Sequence, residues 1–239
     1  TPRRWGGCFA PLPGCRIGCS TRAAGRSAGK FRVMHLLNSV SAWRVFRLLL
    51  DFVFGHYRRR MKVFRSFGLT PDQSVLDVGC GTGQYAAVTS GRYLGLDFDE
   101  RYLAAARQHH RRPGIEFHRQ DVSTLEQHGE HFDVALLVDL LHHLSDERVT
   151  AVLAAVAQRS RRIFVCEQVL EQPRWLGRWL VAHDRGRCTR PRAQLLAMLE
   201  QHFAVTQVVP LELMGVSSLC VLGEPRAVAS IPPQPPRVP

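Results

Sequence analysis

Residues 75–83 read Val-Leu-Asp-Val-Gly-Cys-Gly-Thr-Gly, and this stretch decides the fold. An apolar, strand-type run carries a carboxylate and then breaks into glycines at alternate positions, which lets the backbone wrap closely around a ligand. A second apolar run, residues 93–96, ends on another carboxylate, Asp97. Two acidic residues at strand ends on either side of a glycine-rich turn predict a nucleoside that is held through its ribose hydroxyls.

The chain on both sides of this stretch alternates between strand-type and helix-type patterns. Such crossovers are right-handed and build a parallel, doubly wound sheet, whereas the last two strands have no helix between them and should pair antiparallel. The predicted fold class is therefore α/β: a Rossmann-like seven-stranded sheet, mostly parallel, with an antiparallel C-terminal hairpin and an N-terminal helical lid. The first crossover, between residues 83 and 93, has room for only about two helical turns. We predict strands at 74–78, 93–97, 116–119, 134–138, 163–167, 205–209 and 218–222, and helices at 100–109, 147–158 and 193–202.

Four regions of the chain differ in composition. Residues 1–33 are rich in Gly, Arg, Ser and Pro without periodicity, and we expect a disordered or non-native extension, with an organelle transit peptide as the alternative. Residues 34–72 carry a helical stripe of apolar residues that continues to Phe67. Residues 73–223 should form the ligand-binding domain, and residues 224–239 read as a Pro-rich tail.

Composition narrows the possible partners and compartment. The formal net charge is +12, but seven of the 32 Lys and Arg residues lie in residues 1–33, which hold no acidic residue, so the charge does not mark a nucleic-acid surface. No apolar run approaches the ~20 residues of a membrane span. The seven cysteines form no zinc-type set of paired ligands, and a cytoplasmic location and no metal site are expected.

The glycine turn fits two nucleotide cofactors to different degrees. Residues 81–86, Gly-Thr-Gly-Gln-Tyr-Ala, satisfy a loose dinucleotide pattern, and Asp97 would then bind the ribose of NAD. However, Asp77 precedes the glycines and would place a carboxylate near the diphosphate. A negative group there favours a cationic amino-acid moiety instead, such as that of S-adenosylmethionine.

Four motifs together resemble class I S-adenosylmethionine-dependent methyltransferases. Residues 77–83 resemble the first motif of the family, and residues 95–99, Gly-Leu-Asp-Phe-Asp, are similar to its second-strand acidic motif. Residues 120–122, Gln-Asp-Val, lie where the family places its adenine contacts. Residues 132–144, which include Leu-His-His-Leu at the end, are similar to the fourth-strand signature of the small-molecule branch. The resemblance covers about residues 73–167.

The resemblance implies S-adenosyl-L-methionine as the cofactor and gives each motif residue a role. The first carboxylate and the glycines would cradle the methionine part, the second would accept both ribose hydroxyls, and the remaining residues would surround the adenine and close the pocket floor. The cofactor-binding residues so implied are Asp77, Gly79, Gly81, Gly83, Asp97, Phe98, Asp121, Val122 and Val138. Plainer roles stay open: Asp97 as a helix N-cap, Phe98 as core, and Asp121 as a turn or cap residue.

The acceptor side of the reaction is less constrained. His142 and His143 follow the predicted fourth strand and are candidates for a general base, with a structural role at the rim as the alternative. Glu167 ends the fifth strand, where it could contact substrate or pair with an arginine. The Asn/Asp-Pro-Pro-aromatic loop of nucleic-acid amino methylation is not found in this sequence, which favours a small organic acceptor.

Two other functions remain as alternatives: a non-catalytic S-adenosylmethionine-binding module and an RNA methyltransferase. The helical segment that ends in the arginines of residues 58–60 is expected to form a lid over the pocket. Contact of this segment with a membrane surface is the second choice.

Overall fold

Strands and helices alternate along the chain as the apolar periodicities predict. The computed structural model describes residues 45, 55–121, 130–171, 175–182, 186, 188–213 and 215–226. The elements in chain order are α1 (His56–Ser66), β1 (Val75–Val78), β2 (Tyr93–Asp97), α2 (Glu100–His109), β3 (Ile115–Arg119), β4 (Val134–Val138), α3 (Asp146–Ala157), β5 (Ile163–Gln168), α4 (Trp175–Ala182), α5 (Arg192–Glu200), β6 (Phe203–Leu213) and β7 (Val216–Pro225). The sequence extensions at 1–33 and 227–239 and the start of the N-terminal helical segment lie outside the described residues.

All seven strands form one sheet in the order β3-β2-β1-β4-β5-β7-β6. The strands from β1 to β5 pair in parallel, and β7 runs antiparallel to both β5 and β6. This confirms the predicted fold class. The strand order reverses between β1 and β4, and ligands of such sheets bind beyond the carboxyl ends of the strands at that switch point.

The C-terminal hairpin is longer than the sequence pattern predicts. Its strands extend over residues 203–213 and 216–225, with a register shift between Val205 and Gln207. Alternation of apolar and polar residues is weak at both ends of these strands, which explains the shorter prediction. β6 forms the edge of the sheet, where Pro210 is tolerated because no further strand needs its missing amide hydrogen.

Each face of the sheet is covered by its own apolar layer. α3 and α5 contribute to one layer, with side chains such as Leu153 and Leu199. α1 and α2 contribute to the other, with side chains such as Phe64 and Leu103. A sheet with helices on both faces has nearly continuous apolar central strands, and all residues of β1, β2 and β4 are buried.

The first crossover is reduced to a single 3₁₀ turn, Ala86–Val88. This confirms the prediction of a truncated crossover helix, and the helix is even shorter than the two turns for which the sequence has room. α1 packs on the same face of the sheet, where Phe64 and Phe67 meet the Phe164 ring edge-on at centroid distances of 5.3 and 5.9 Å. The N-terminal helix thus belongs to the core of the domain.

Two helical features differ from the sequence prediction. The pattern predicts one helix that runs on to Phe67, but Gly55 adopts φ +62° and α1 begins only after it. A residue in the left-handed region cannot continue a right-handed helix. In addition, α4 was not predicted, because its eight residues are too few for a clear periodicity. No helix in the described part of the chain has the length and apolar character needed to cross a membrane.

Candidate functional site

The glycine loop leaves β1 at the carboxyl edge of the sheet, next to β2. Gly79, Gly81 and Gly83 have φ values of +79°, +55° and +74°, which residues with a Cβ rarely adopt. The backbone amides of Gly79 and Cys80 both donate to the Leu96 carbonyl at 2.8 and 3.0 Å. The loop is therefore tied to the neighbouring strand and holds its shape without a ligand.

The surroundings of the three glycines show which side of the loop faces a ligand. A Cβ at Gly79 would lie 2.8 Å from Leu140 Cδ1, and one at Gly83 would lie 2.8 Å from Phe117 Cζ. A Cβ at Gly81 would meet no described atom within 4 Å. Gly79 and Gly83 are thus needed for packing, and Gly81 borders open space that a bound group can fill.

Asp77 lies inside the sheet below this loop. Its side chain is 2% exposed, and its Oδ2 accepts a hydrogen bond from the Tyr93 hydroxyl at 2.5 Å. Burial and the adjacent Asp77 carboxyl raise the pKa of Tyr93, so the phenol stays protonated and donates. Asp77 thus places negative charge under the loop rather than at its surface.

Asp97 connects the end of β2 to the glycine loop. Its Oδ2 accepts the Gly81 amide hydrogen at 2.8 Å and its Oδ1 accepts that of Asp99 at 2.9 Å. The N-cap of α2 is Asp99, whose carboxylate accepts from the Arg101 amide, and not Asp97. The Asp97 oxygens therefore keep lone pairs for a further donor pair, such as two ribose hydroxyls.

Phe98 lies beside Asp97 and is 73% exposed, so it is not a core residue. An aromatic ring left open at a ligand edge of the sheet is suited to stack on a purine. Asp121 lies further along this edge. Its Oδ1 and Oδ2 accept hydrogen bonds from Arg148 Nη2 at 2.7 and 2.9 Å, in an exposed ion pair. Val122 lies outside the described residues.

An ion pair between Arg60 and Asp139, which no sequence pattern predicts, lies on the other side of the glycine loop. Val138 ends β4, and the next residue, Asp139, has φ +52°, a strained conformation for a non-glycine. Both Asp139 oxygens accept from Arg60 of α1 at 2.7 Å, and Arg60 Nη1 also donates to the Tyr85 hydroxyl at 3.2 Å. In the sequence Arg60 is one of three consecutive arginines, and the apolar periodicity does not indicate that its side chain points inward.

Two buried polar atoms beside the loop have no hydrogen-bond partner among the described residues. One is Arg60 Nε, a donor, and the other is Gln84 Oε1, an acceptor, although the orientation of an amide side chain is an assignment. Buried polar groups without partners are rare and call for an explanation. A bound group with both an anionic and a cationic end would satisfy both atoms.

His142 and Glu167 form a buried pair at the carboxyl ends of β4 and β5. His142 Nδ1 lies 2.5 Å from Glu167 Oε1, and the two side chains are 4% and 3% exposed. Glu167 Oε2 accepts the Leu141 amide hydrogen at 2.6 Å, so the carboxylate is fixed from two sides. The sequence analysis allowed an arginine as the partner of Glu167, whereas in the structure its partner is His142. His143 is exposed and stacks on His142 with ring centroids 4.1 Å apart.

A separate cavity of about 560 Å³ lies at the hairpin, lined by residues that include Val169, Pro210 and Leu219. It contacts neither the glycine loop nor the two histidines. Its walls bring together no strand-end carboxylates and no histidine, so the site described above remains the candidate for chemistry.

Comparison with known proteins identifies the class that this fold and loop define. A family model described as a methyltransferase domain matches residues 75–162. The ubiquinone biosynthesis O-methyltransferase of Ruegeria sp. (strain TM1040) is 26% identical over 197 residues, which cover 72% of this chain and 74% of that protein. The protein of the same name from Ruegeria pomeroyi is 31% identical over 124 residues, 49% of this chain and 47% of that protein.

A solved structure agrees with this assignment at the level of the fold. The magnesium protoporphyrin IX methyltransferase from Synechocystis PCC 6803 with bound SAH has a TM-score of 0.55 and 20% identity, over 84% of this chain and 95% of that one. The match over residues 75–162 and the curated relatives together support a class I S-adenosylmethionine-dependent methyltransferase. The chain is an enzyme of that class, and S-adenosylmethionine is its cofactor.

Proposed function

We propose that this enzyme methylates a hydroxyl oxygen of a small aromatic acceptor of the phenol or quinol type, with His142 as the general base. The observation that carries the proposal is the buried contact of 2.5 Å between His142 Nδ1 and Glu167 Oε1 beside the glycine loop. A phenol needs such a base, because its neutral oxygen is a poor nucleophile. The names of the relatives, which refer to O-methylation in ubiquinone biosynthesis, support an oxygen acceptor of this kind.

The pair gives each nitrogen of the imidazole a role. The Glu167 carboxylate accepts the Nδ1 hydrogen, which fixes the tautomer, and we propose that Nε2 takes the acceptor's proton. The Gln168 amide also donates to Glu167 Oε1, at 3.0 Å, so the carboxylate cannot rotate away. The carboxylate stabilises the imidazolium that forms when the proton arrives. The small exposure of both side chains keeps bulk water from competing for the proton.

The donor is bound by residues on both sides of the loop. S-Adenosylmethionine supplies a methyl group on a sulfonium, already activated for displacement. We propose that Asp97 accepts the ribose hydroxyls, that Phe98 stacks on the adenine, and that the Val138 backbone closes the floor. Asp121 and Val122 are proposed to face the adenine edge, with Arg148 holding Asp121 in place.

The amino-acid end of S-adenosylmethionine needs both a hydrogen-bond donor and a hydrogen-bond acceptor from the protein. The unpartnered Arg60 Nε suits its carboxylate, and the unpartnered Gln84 Oε1 suits its ammonium group. The amides of Gly79, Gly81 and Gly83 would line the same end. Asp77 adds negative charge below the loop, which disfavours a diphosphate and favours the cationic donor.

The test is transfer of label from S-adenosylmethionine to a panel of catechols, quinols, amines and short RNAs. With the best phenol, His142→Gln should lower kcat by about 10²–10⁴-fold, the usual contribution of a general base. The affinity for S-adenosylhomocysteine, measured by calorimetry, should stay within about twofold because His142 is not a donor ligand. His118→Gln on β3 serves as the control and should leave kcat unchanged.

Each other outcome contradicts a different part of the proposal. Label in RNA but not in phenols would favour the RNA methyltransferase, and tight donor binding with no acceptor methylated would favour the regulatory module. Full activity of His142→Gln would exclude this histidine as the base. A cytoplasmic location also stays a proposal, which fractionation of cells that express the protein would test.

A further inference from the structure

The turn that carries His142 is held from outside by one arginine. Arg190 follows α4 in the chain, and its side chain is 5% exposed. Its Nη1 donates to the carbonyls of Leu141 at 2.8 Å and Cys188 at 3.0 Å, and its Nη2 donates to that of Leu144 at 2.8 Å. Its Nε donates to Asp146 Oδ1 at 2.8 Å. The guanidinium therefore contacts the chain immediately before and after the two histidines.

The segment around Cys188 reaches the histidine itself. The Cys188 amide donates to the His142 carbonyl at 3.0 Å. Gly186 lies against the imidazole so closely that a Cβ there would be 1.9 Å from His142 Cδ2. Glu167 therefore holds the ring at Nδ1, while Gly186 contacts the ring and Cys188 holds the His142 carbonyl.

The turn has few hydrogen bonds of its own: the His143 and Leu144 amides donate to the Leu140 and Leu141 carbonyls at 3.0 and 3.1 Å. Leu141–His143 is a single 3₁₀ turn that follows the strained Asp139. Such turns have poor hydrogen-bond geometry and leave carbonyls without partners in the turn. The planar guanidinium presents several donors in fixed directions, so one side chain can tie several carbonyls together.

We propose that Arg190 is a positioning residue, which holds the turn so that His142 presents its ring to the acceptor. This rests on the proposed role of His142 as the base. The function of Arg190 is then to keep the imidazole within the narrow range of positions from which it can take a proton. A displacement of about 1 Å can cost about 10²-fold in rate, so loss of the Arg190 hydrogen bonds should lower kcat.

The primary test observes the His142 ring by NMR in the full chain with labelled histidine and bound S-adenosylhomocysteine. Its signal is assigned by its absence from the spectrum of His142→Gln. Arg190→Lys keeps the charge but loses the planar fork, and we expect it to shift and broaden the His142 signal. Arg112→Lys is the matched control, because the Arg112 guanidinium also ties several carbonyls together, those of Thr89, Ser90, Gly91 and Pro113. It should leave the His142 signal unchanged.

Kinetics and a second variant complete the test. Arg190→Lys should lower kcat for the best phenol of the panel by about 10-fold or more, while KM for S-adenosylmethionine stays within about twofold. Gly186→Ala places a methyl group against the imidazole and the His142 carbonyl and should displace the same NMR signal. It covers the case in which the Arg190 variant unfolds.

The two proposals fail in distinguishable ways. An unchanged His142 signal in a folded Arg190→Lys would overturn the positioning role, even if His142→Gln is inactive. If Arg190→Lys unfolds, an unchanged signal in Gly186→Ala would overturn it instead. A shifted signal in Arg190→Lys together with full activity of His142→Gln would support positioning and overturn the base. Equal effects of Arg190→Lys and Arg112→Lys on the His142 signal would show a general loss of structure and would also overturn the positioning role.

Discussion

The Asp97 carboxylate has two tasks that both require its ionised form, which burial disfavours. Both oxygens accept backbone amide hydrogens and so fix the glycine loop, and the same oxygens would accept ribose hydroxyls. Burial raises the pKa of Asp97, and the amides of Asp99 and Gly81 oppose that shift only in part. The folded protein thus holds this proton more tightly than the unfolded chain does. Ionised Asp97 costs stability at neutral pH, and this cost disappears as the pH falls through the raised pKa.

Donor binding should show the reverse dependence, because only the carboxylate can accept both hydroxyls. We predict that the affinity for S-adenosylhomocysteine falls on acidification, at a higher pH than an ordinary aspartate would give. Calorimetric titrations over a series of pH values measure this. Asp97→Asn should bind weakly with no such step. A wild-type affinity that stays constant down to pH ~4, the ordinary pKa of aspartate, would contradict the prediction.

Residues with a chemical signature in the sequence were predictable, and residues defined by distant contacts were not. Asp97 and Phe98 lie at the end of an apolar strand at a motif position, and the structure places both at the carboxyl edge of the sheet. Arg60 looks like one of three exposed arginines, yet it is buried against Asp139, 79 residues away in the chain. Arg190 has no local pattern at all, because its role depends on the turn that it contacts.

At the level of elements, the glycine loop offers a comparison of two neighbouring substitutions. Gly81→Ala and Gly83→Ala both place a Cβ in the left-handed region, at a cost of about 1–2 kcal/mol each. Only Gly83→Ala also collides with Phe117, for about 1–3 kcal/mol more. We predict that Gly83→Ala loses more stability in urea unfolding, and that Gly81→Ala loses more affinity for S-adenosylhomocysteine because its methyl group enters the ligand space. The opposite order in either measurement would contradict our orientation of the loop.

The elements that the sequence predicted well are the buried parallel strands and the helices between them. Their apolar runs are long, and the chain order dictates their pairing. Gly55 and α4 were missed for local reasons: a single glycine can interrupt a helical pattern or lie within it, and eight residues give little periodicity. The first crossover was predicted to be short, since few residues separate Gly83 from Tyr93.

At the level of the whole molecule, α1 belongs to the core although it precedes the predicted domain boundary at residue 73. Its buried side chains are Met61, Val63, Phe64 and Phe67, and they pack in the layer that the truncated crossover leaves open. We therefore propose that the folding unit begins no later than Gly55. The composition of the sequence could not indicate this, because a helix before the first strand is equally expected in a detached lid.

A truncation tests this boundary. Burial of a large apolar side chain is worth about 1.5–3 kcal/mol, so the loss of four is comparable to the whole stability of an ordinary domain. We predict that a chain that starts at residue 73 shows no cooperative urea transition, whereas one that starts at residue 55 unfolds cooperatively. Cooperative unfolding of the shorter chain, with a midpoint near that of the longer one, would restore the boundary at residue 73.

The packing of α1 also has a consequence for folding during synthesis, because α1 is made long before the residues that it packs against. α1 leaves the ribosome before any strand, but its partners Asp139 and Phe164 are made much later, on β4 and β5. Contacts between such distant parts of a chain form slowly, and an apolar segment that waits for its partner is prone to aggregate. The nascent protein therefore carries a helix with an exposed apolar face until most of the sheet exists, and it is at this stage that a chaperone would have the most to protect.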